Sequence, residues 1–306
     1  MKSFLSFENY TKAEILEIIS LSQQIKMERS KGVNIPHLQQ KVLGMIFEKS
    51  STRTRVSFES GIFQLGGHGI FLSSRDIQMG RGEPISDTSK VISSMTDLLM
   101  IRTFEHEKIV QFEKNSSVPV INGLTDSCHP IQILADYLTM LESGIEKPEI
   151  AYVGDGNNIA NSLIMFSAKM GFKISVATPK GYEPDNELIQ KSIAFAIESG
   201  GEIILTNSPE EAIVNSNVVI TDTWVSMGDE DEKEQRLKDF SGFEIDANLF
   251  SKSAENSIFL HCLPAYRGLE VSAEVIDGER SRIFEEAENR LHAQKGLMVW
   301  LSQQNR

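Results

Sequence analysis

Residues 41–67 read KVLGMIFEKSSTRTRVSFESGIFQLGG and join an apolar stretch, a polar turn and a second apolar stretch. The first stretch, 42–47, is short and partly β-branched, which predicts a buried strand. Apolar side chains between residues 56 and 65 predict a largely buried helix that ends near the glycine pair at 66–67. Hydroxyl residues at 50–52 lie where a helix cap is expected. The segment therefore predicts a strand followed directly by a capped helix, with two arginines close to the start of that helix.

The same alternation of strand and helix continues along the chain. Strands are predicted at 42–47, 68–72, 96–101, 118–121, 149–153, 173–177, 202–205, 217–221 and 257–261. Helices are predicted at 11–30, 129–141, 158–170, 185–198, 209–215 and 283–303. Short connections between such elements are typical of parallel sheets covered by helices on both faces. The predicted fold class is therefore α/β, with two doubly wound parallel-sheet domains.

The predicted domain boundary is SGIEKPE at 143–149, a short joint near mid-chain that contains glycine and proline. Ligands of parallel α/β domains bind beyond the carboxyl ends of the strands, where the connections diverge. An active site is therefore expected in the crevice between the two domains. The side chains at the predicted strand ends are the candidate site residues: 51–54, Arg102, His129, 155–158, Asp222, His261 and Cys262.

The composition, with 40% hydrophobic and 24% charged residues among 306, is that of a globular protein. A net charge of −13 argues against partners such as nucleic acid or an anionic membrane, because both favour basic surfaces. No run approaches about 18 apolar residues and no signal-peptide core is present, so a cytoplasmic protein is expected. The cysteines, Cys128 and Cys262, lack CxxC spacing and indicate neither a disulfide scaffold nor a zinc module. These features favour an enzyme or a small-molecule binder.

The candidate residues of the first domain suit a small dianion. A helix N-terminus offers unpaired N–H groups, and an arginine guanidinium binds phosphate through two parallel hydrogen bonds. Residues two apart on a helix point about 200° apart. Only one of Arg53 and Arg55 can therefore face the ligand, and the other is expected to form a structural salt bridge. His129 and Gln132 lie one helical turn apart behind Pro130, so both can face one small group.

Seven segments resemble those of the ornithine carbamoyltransferases in order and spacing: FEKSSTRTRVSFE, MIRTFEH, HPIQILADYLT, GDGNN, TDTWVSMG, HCLPA and AENRLHAQKGLM. The motifs STRTR and HPxQ are typical of carbamoyltransferases, and DxWVSMG with HCLP is typical of the ornithine branch. The resemblance implies transfer of the carbamoyl group of carbamoyl phosphate to the δ-amine of L-ornithine, giving L-citrulline and phosphate, with no cofactor and no metal. It implies a carbamoyl phosphate-binding domain at 1–142 and 286–306 and an ornithine-binding domain at 148–285. It places the enzyme in arginine metabolism and leaves the direction of the reaction in the cell open.

Motif matching implies a set of carbamoyl phosphate-binding residues: Ser51, Thr52, Arg53, Thr54, Gln78, Arg102, His129, Gln132, Cys262, Leu263 and Arg290. The arginines would stabilise the charge that builds on the departing phosphate. His129, with Thr54 and Arg102, would polarise the carbamoyl oxygen. Arg290 lies in a charged amphipathic helix, where an arginine is usually solvated, so its assignment depends on the match of AENRLH alone. Gln78 matches a residue that reaches into a neighbouring subunit's site, which implies a homotrimer with shared active sites.

The implied ornithine-binding residues are Asn158, Asp222, Ser226 and Met227, and the implied catalytic residues are Arg102, His129, Asp222 and Cys262. Cys262 would orient or deprotonate the δ-amine with the help of Asp222, and which of the two accepts the proton stays open. A metal site at Asp222, His261 and Cys262 is discounted, because neighbouring residues on a strand point to opposite faces. The charge run at 228–236 is typical of a solvated, mobile loop.

Several alternative functions fit the residues less well. A nicotinamide dehydrogenase is disfavoured because Ile159 stands where G-x-G-x-x-G needs its third glycine. A non-catalytic phosphate or amino-acid binding protein would have no need of Cys262. Within the family, the acceptor alternatives are aspartate, putrescine and an N-acylated ornithine, of which the last would leave Asp222 facing an uncharged amide. Arg81 and Arg267 match no assigned role and are expected to be surface charges.

Overall fold

The structure is a computed structural model that describes residues 1–73, 82–225 and 230–305. The chain divides into two compact units. The first unit contains Met1–Leu138 together with Glu288–Arg306, and the second contains Thr139–Ala287. The second unit is therefore an insertion in the sequence of the first.

Helices and strands alternate along the described residues. In chain order they are α1 (Lys12–Ser30), β1 (Val42–Phe47), α2 (Thr52–Gln64), β2 (His68–Ser73), α3 (Ile85–Ser93), β3 (Leu98–Arg102), α4 (His106–Asn115), β4 (Val120–Leu124), α5 (Pro130–Glu142), β5 (Glu149–Val153), α6 (Asn158–Met170), β6 (Lys173–Ala177), α7 (Asn186–Ser199), β7 (Glu202–Thr206), α8 (Pro209–Ile213), β8 (Val218–Thr221), a 3₁₀ turn (Glu230–Glu232), α9 (Lys233–Asp239), α10 (Ala247–Phe250), β9 (Ile258–His261), α11 (Ala273–Ile276) and α12 (Ile283–Gln304). Among these helices, none combines the length and the hydropathy needed to span a bilayer.

Within the described residues, each unit contains one sheet, and its strands pair in parallel. The strand order is β2-β1-β3-β4 in the first unit and β7-β6-β5-β8-β9 in the second. The predicted α/β class with two doubly wound parallel sheets is therefore confirmed. The chain changes direction across the sheet between β1 and β3 in the first unit and between β5 and β8 in the second. Ligands of such sheets bind at these points, beyond the carboxyl ends of the strands.

Both sheets are buried at their centres, as expected for strands covered on two faces. The central strands β1 and β3 are buried almost throughout, and so are β5 and β8. The edge strand β2 is different, because two of its six residues, His68 and Ile70, are exposed. The second unit has a large apolar core beneath its sheet, which includes Trp224, Phe240 and Phe259.

The prediction of a largely buried α2 is only partly correct. Phe58 and Ile62 are buried, but Val56 is 57% exposed and Phe63 is 78% exposed. Positions 56 and 63 are two helical turns apart and share the face that points away from the core. Residues buried on the opposite face include Thr54, Ser57 and Gly61, so the buried face of α2 is more polar than its sequence suggested.

Candidate active site

The start of α2 is capped as predicted. Ser51 is the N-cap residue, and its hydroxyl accepts a hydrogen bond from the backbone N–H of Thr54 at 3.2 Å. Thr52 is the first helical residue and is exposed, and Arg53 is partly exposed beside it. The cap leaves other N–H groups of the first turn, with their partial positive charge, at the end of β1.

Arg53 and Arg55 point in different directions, as the helical spacing predicts. The Arg55 guanidinium donates to Glu59 Oε1 at 2.9 Å, one turn along the helix, and lies over the Phe71 ring at 3.8 Å. Arg53 instead acts electrostatically on buried His129. The expected structural salt bridge is therefore confirmed, and it belongs to Arg55.

Arginines surround His129, which is 4% exposed. Burial lowers the pKa of His129 well below its usual 6.5, and the charges of Arg290, Arg102 and Arg53 lower it further. The imidazole is therefore neutral near pH 7, with one nitrogen as a donor and the other as an acceptor. Arg102 ends β3, and its backbone pairs with Phe47 at the end of β1, so it lies at the point where the chain changes direction.

Arg290 is buried within the first unit, whereas sequence reasoning alone would have left it in solvent. Its side chain donates to Gln132 Oε1 at 2.7 Å and to Thr54 Oγ1 at 3.2 Å. Gln132 in turn donates to the buried Asp136 carboxylate at 2.8 Å, which fixes the orientation of its amide. Thr54 Oγ1 also accepts from Ser51 Oγ at 3.0 Å, so its own proton remains to be donated. These contacts join α2, α5 and α12 at one cationic cluster.

Asp136 is a residue of this cluster that sequence reasoning missed. It is 1% exposed in an apolar stretch of α5. The signal for it was present, because a lone carboxylate one turn after Gln132 in a buried helix requires a polar partner.

In the second unit, Asp222 and Cys262 form the predicted pair. The Cys262 thiol donates to Asp222 Oδ1 at 3.2 Å, and that oxygen also accepts from the backbone N–H of Thr223 at 2.8 Å. Asp222 follows β8, Cys262 follows β9, and these two strands are neighbours in the sheet. The carboxylate and the thiol therefore lie together at the carboxyl edge, where they offer a negative charge and an acceptor to an amine.

The turn that carries Cys262 is held by two buried side chains. His261 Nδ1 accepts from the backbone N–H of Leu263 at 2.9 Å, so Nε2 is the nitrogen that donates to Glu270 Oε1 at 3.2 Å. Leu263 has a φ of 59°, in the left-handed region that L residues rarely adopt. The hydrogen bond to His261 holds this residue in a turn that would otherwise be unfavourable.

The prediction that strand alternation separates the candidate metal ligands is wrong. Ligand atoms of Asp222, His261 and Cys262 all lie within 4.8 Å of one another. Strand alternation does not separate the last two, because β9 ends at His261 and Cys262 already belongs to the turn. A different observation disfavours a metal here, since both ring nitrogens of His261 are engaged by Leu263 and Glu270.

Asn158 is the first residue of α6, and its neighbour Asn157 contacts Asp222 of the predicted site. Asn157 Nδ2 donates to Asp222 Oδ2 at 2.8 Å. The sequence placed both residues at a strand end, within 155–158, but the GDGNN match assigned a role to Asn158 alone. The identity of Asn157 as an N-cap was the available signal, because it predicts a side chain turned back over the end of β5.

The end of β5 is also tied to α9. Arg236 Nη1 donates to Asp155 Oδ2 at 2.9 Å and to the carbonyl oxygen of Trp224 at 3.1 Å. Arg236 is only 9% exposed, so the described part of the charge run at 228–236 is not a uniformly solvated loop. Arg267, by contrast, is an exposed surface charge as expected, bonded to Asp277 at 2.8 and 2.6 Å.

Four residues considered from sequence lie outside the described ranges: Gln78, Arg81, Ser226 and Met227. The remaining candidates fall into two groups. In the first unit these are Ser51, Thr52, Arg53, Thr54, Arg102, His129, Gln132 and Arg290, and in the second they are Asn158, Asp222, Cys262 and Leu263. The first group presents cationic and hydroxyl donors suited to an anion, and the second presents a carboxylate and a thiol suited to an amine.

Comparison with known proteins agrees with this chemistry. Residues 2–142 match the carbamoyl-P binding domain of the aspartate/ornithine carbamoyltransferases, and residues 146–301 match the Asp/Orn binding domain. The chain is 58% identical to the ornithine carbamoyltransferase of Wolinella succinogenes and 56% identical to that of Nitratiruptor sp., over 98% of both chains in each case.

Solved structures give the same result. The anabolic ornithine carbamoyltransferase of Campylobacter jejuni is 44% identical with a TM-score of 0.94, covering 99% of this chain and 100% of its own. The ornithine carbamoyltransferase of Pyrococcus furiosus is 43% identical with a TM-score of 0.92, covering 97% and 96%. The resemblance noted in the sequence motifs is thus confirmed over the whole chain. The chain belongs to the aspartate/ornithine carbamoyltransferase family, in its ornithine carbamoyltransferase branch.

Proposed function

We propose that this protein transfers the carbamoyl group of carbamoyl phosphate to the δ-amine of L-ornithine, giving L-citrulline and phosphate. The observation that carries the proposal is the Cys262–Asp222 pair, at 3.2 Å, in a chain whose relatives at 56–58% identity are named ornithine carbamoyltransferases. A thiol and a carboxylate beside each other suit an amine nucleophile, and a pure binding protein has no need of the thiol.

The first unit is proposed to bind carbamoyl phosphate. The phosphate is held by the α2 N-terminus with Ser51, Thr52 and Arg53, and Gln78 is proposed to join it from a neighbouring subunit. Thr54, Arg102 and His129 hold the carbamoyl oxygen. His129 can do so because its imidazole is neutral and retains one acceptor and one donor nitrogen. Gln132 and Arg290 are held against each other at 2.7 Å and complete the donor set around the anion.

The second unit is proposed to bind ornithine. Asn158, Ser226 and Met227 hold the amino-acid end, and Asp222 pairs with the α-ammonium group. Cys262 and Leu263 lie beside the scissile bond. Asp222 Oδ1 already accepts the thiol hydrogen, so the carboxylate and the thiol are proposed to act as one proton-accepting pair.

The transfer itself is a displacement at the carbamoyl carbon. The lone pair of the neutral δ-amine forms the new C–N bond, and the bond from the carbamoyl carbon to the phosphate oxygen breaks. Phosphate leaves with the bonding electrons, and the arginines stabilise the charge that it gains. One proton leaves the amine nitrogen for the Asp222–Cys262 pair. No covalent intermediate with the protein is needed, since a neutral amine is already a good nucleophile.

The protein is proposed to act as a homotrimer with shared active sites. The support is apolar surface on the first unit, where Val56 and Phe63 on α2 and Ile70 on the edge strand β2 are 57%, 78% and 39% exposed. Gln78 comes shortly after β2 in the sequence. Mixing inactive Gln78→Ala subunits with inactive Arg53→Ala subunits is expected to restore part of the activity. An active monomer in sedimentation experiments would contradict the trimer.

We extend the proposal to arginine biosynthesis in the cytoplasm. The support is the C. jejuni chain, which is 44% identical and described as anabolic. Putrescine, N-acylated ornithine and aspartate are the acceptors to test against ornithine. Purified protein with carbamoyl phosphate is expected to form a carbamoylated product with ornithine and to release phosphate in equal amount. Product formed faster from another acceptor would overturn the assignment, and no phosphate release with any acceptor would favour the non-catalytic binder.

A further inference from the structure

Asn157 links a helix cap to the carboxylate of Asp222. It lies between β5 and α6, and its Oδ1 accepts from the backbone N–H groups of Ile159 at 2.9 Å and Ala160 at 3.3 Å. Its Nδ2 donates to Asp222 Oδ2 at 2.8 Å. One side chain thus connects the start of α6 with the end of β8.

The orientation of this amide is determined by its neighbours. The two N–H groups of α6 require an acceptor, so the oxygen of Asn157 must face the helix. The hydroxyl of Tyr152 donates its one proton mainly to the carbonyl of Asp155, at 2.8 Å, and lies 3.4 Å from the same oxygen of Asn157. The amide nitrogen is therefore directed at Asp222 and cannot exchange places with the oxygen without breaking the cap.

The two oxygens of Asp222 have different partners. Oδ1 accepts from the Cys262 thiol and from the backbone of Thr223, and Oδ2 accepts from Asn157. A carboxylate held at both oxygens has its rotation about the terminal bond restrained. The bond from Asn157 therefore keeps Oδ1 directed at the thiol.

We propose that Asn157 is a positioning residue for carbamoyl transfer, which holds the Asp222 carboxylate oriented toward Cys262. The inference rests on the proposed function of the Asp222–Cys262 pair and adds a residue that neither motif matching nor the comparisons assign. Asn157 acts through Asp222, and the substrate need not touch it.

The charged and titratable groups near Asp222 are engaged with other partners. The side chain that orients the Asp222 carboxylate is therefore an uncharged donor. Both nitrogens of His261 are engaged, by Leu263 and by Glu270. Tyr152 keeps its proton, because burial and then the carboxylates of Asp222 and Asp155 raise its pKa well above 10.

The nearby cation is also engaged. Arg236 is bonded to Asp155, to Glu232 and to the carbonyl oxygen of Trp224. Among the described contacts of Asp222, the side-chain donors are therefore the Asn157 amide and the Cys262 thiol.

Two substitutions separate positioning from capping. Serine and aspartate both cap helices well, so Asn157→Ser and Asn157→Asp retain the N-cap and lose the amide N–H that reaches Asp222. Asn157→Asp also brings a second carboxylate to hydrogen-bond distance, and two carboxylates that close cannot both stay ionised. A matched control is Asp185→Ser, which exchanges the cap of α7 in the same unit, where Asp185 accepts from Leu188 N at 2.8 Å.

The measurement is kcat/KM for ornithine from about pH 6 to about pH 9, with melting temperatures for each variant. For Asn157→Ser, kcat/KM for ornithine is expected to be about tenfold lower at every pH, because one hydrogen bond to a charged group is lost. The KM for carbamoyl phosphate is expected to be unchanged. Asn157→Asp is expected to have a kcat/KM about twofold below that of Asn157→Ser at the acid end, where one proton is shared by the two carboxylates, and to approach it at the alkaline end as that proton is lost. For Asp185→Ser, kcat/KM for ornithine is expected to equal that of the unsubstituted protein at every pH.

Several results would overturn the inference. One is a constant ratio between the two Asn157 variants across the pH range. A second is normal kcat/KM in Asn157→Ser, and a third is a higher KM for ornithine with unchanged kcat, which would identify a binding residue. A parallel loss of melting temperature and activity in both variants, without a pH difference, would identify a helix cap only. Failure of the unsubstituted protein to form citrulline would instead contradict the proposed function.

Discussion

The cationic cluster of the first unit and the Asp222–Cys262 pair of the second unit have opposite charge, although each lies at the carboxyl edge of its own sheet. Both lie at the carboxyl edge of a parallel sheet, and Arg102 and Asp222 lie at the ends of β3 and β8, the strands at which the chain changes direction. The first gathers Arg53, Arg102 and Arg290 around a buried histidine. The second places a carboxylate beside a thiol. Sheets of the same topology can therefore carry sites of opposite charge. The few residues that follow each strand determine the charge of the site.

The two regions also differ in how their charges are kept in place. Arg290 is buried and donates to two side chains on other helices, so the guanidinium is fixed before any ligand arrives. Asp222 is held by an amide, a backbone N–H and a thiol, all of them uncharged donors. Loss of one arginine should therefore affect carbamoyl phosphate selectively, and loss of the carboxylate should affect ornithine selectively.

The largest expected effect is that of Arg53→Ala. Each charge-assisted hydrogen bond to phosphate contributes about 1.5–3 kcal/mol, so loss of two lowers kcat/KM for carbamoyl phosphate by at least about a hundredfold. Steady-state kinetics at saturating ornithine measure it. The melting temperature is expected to stay close to that of the unsubstituted protein, because Arg53 is partly exposed.

The matched control is Arg55→Ala, two residues further along α2. Arg55 forms a half-exposed salt bridge with Glu59, and such a pair contributes about 0.3–0.5 kcal/mol to stability. Activity is expected to stay within about twofold of normal, with a small decrease in melting temperature. Equal loss of activity in the two variants would show that the cationic cluster does not distinguish the two faces of α2.

Asp222→Asn is expected to have the next largest effect, on the other substrate. The change keeps the size of the side chain and removes its charge, which lowers kcat/KM for ornithine by about tenfold or more. Calorimetry with a stable carbamoyl phosphate analogue should show unchanged affinity. Asp246→Asn, which alters the cap of α10 in the same unit, is the control. A large loss of analogue affinity in Asp222→Asn would break the proposed division between the two units.

A smaller effect than those of Arg53→Ala and Asp222→Asn is expected from His129, as a pH dependence of the free energy of unfolding. Its pKa is lowered in the folded protein, so below its ordinary value of 6.5 the unfolded chain binds the proton more readily. The contribution of neutral His129 to the free energy of unfolding is fully present above about pH 6.5. It is lost as the pH falls from there toward the lowered pKa. At about pH 5.5 the loss is on the order of 1 kcal/mol.

Urea denaturation at about pH 7.5 and 5.5 measures this effect against His129→Gln as the reference. The reference shares the other titrating groups, including His106, whose pKa is also lowered by burial. The loss between the two pH values should therefore be larger in the unsubstituted protein. An equal loss in both would show that His129 takes up its proton normally in the folded cluster.

Strand–helix patterning predicted the parts of the fold that have apolar cores. The strands at 42–47, 149–153 and 173–177 have the predicted bounds, because each is a short buried run between turn residues. Helix α3 was missed for the opposite reason. Its fully buried residues are Thr88, Ser89 and Ser93, and Ile85 and Ile92 are only partly buried against the core, so the hydrophobic signal of its inward face is weak.

Candidate site residues were predictable where they follow a strand and hard to predict where they lie inside a helix or a charge run. Asp222 and Cys262 follow β8 and β9 directly, and both were found from the pattern of strands. Arg290 needed a motif match, and Arg236 was hidden in the sequence GDEDEKEQR. Hydrophobic periodicity cannot indicate a buried arginine, because its burial depends on partners that are distant in sequence, as Asp155 is for Arg236.

The insertion of the second unit into the first has a consequence for the order in which the protein is made. Arg290 and Thr54 are bonded side chains separated by 236 residues, so Arg290 leaves the ribosome long after Thr54. Contacts so distant in sequence form late, because a long loop must close first. A chain that stops before residue 288 contains every strand of both sheets and still lacks the guanidinium that joins α2 to α5. An incomplete translation product is therefore expected to be unable to assemble the anion site.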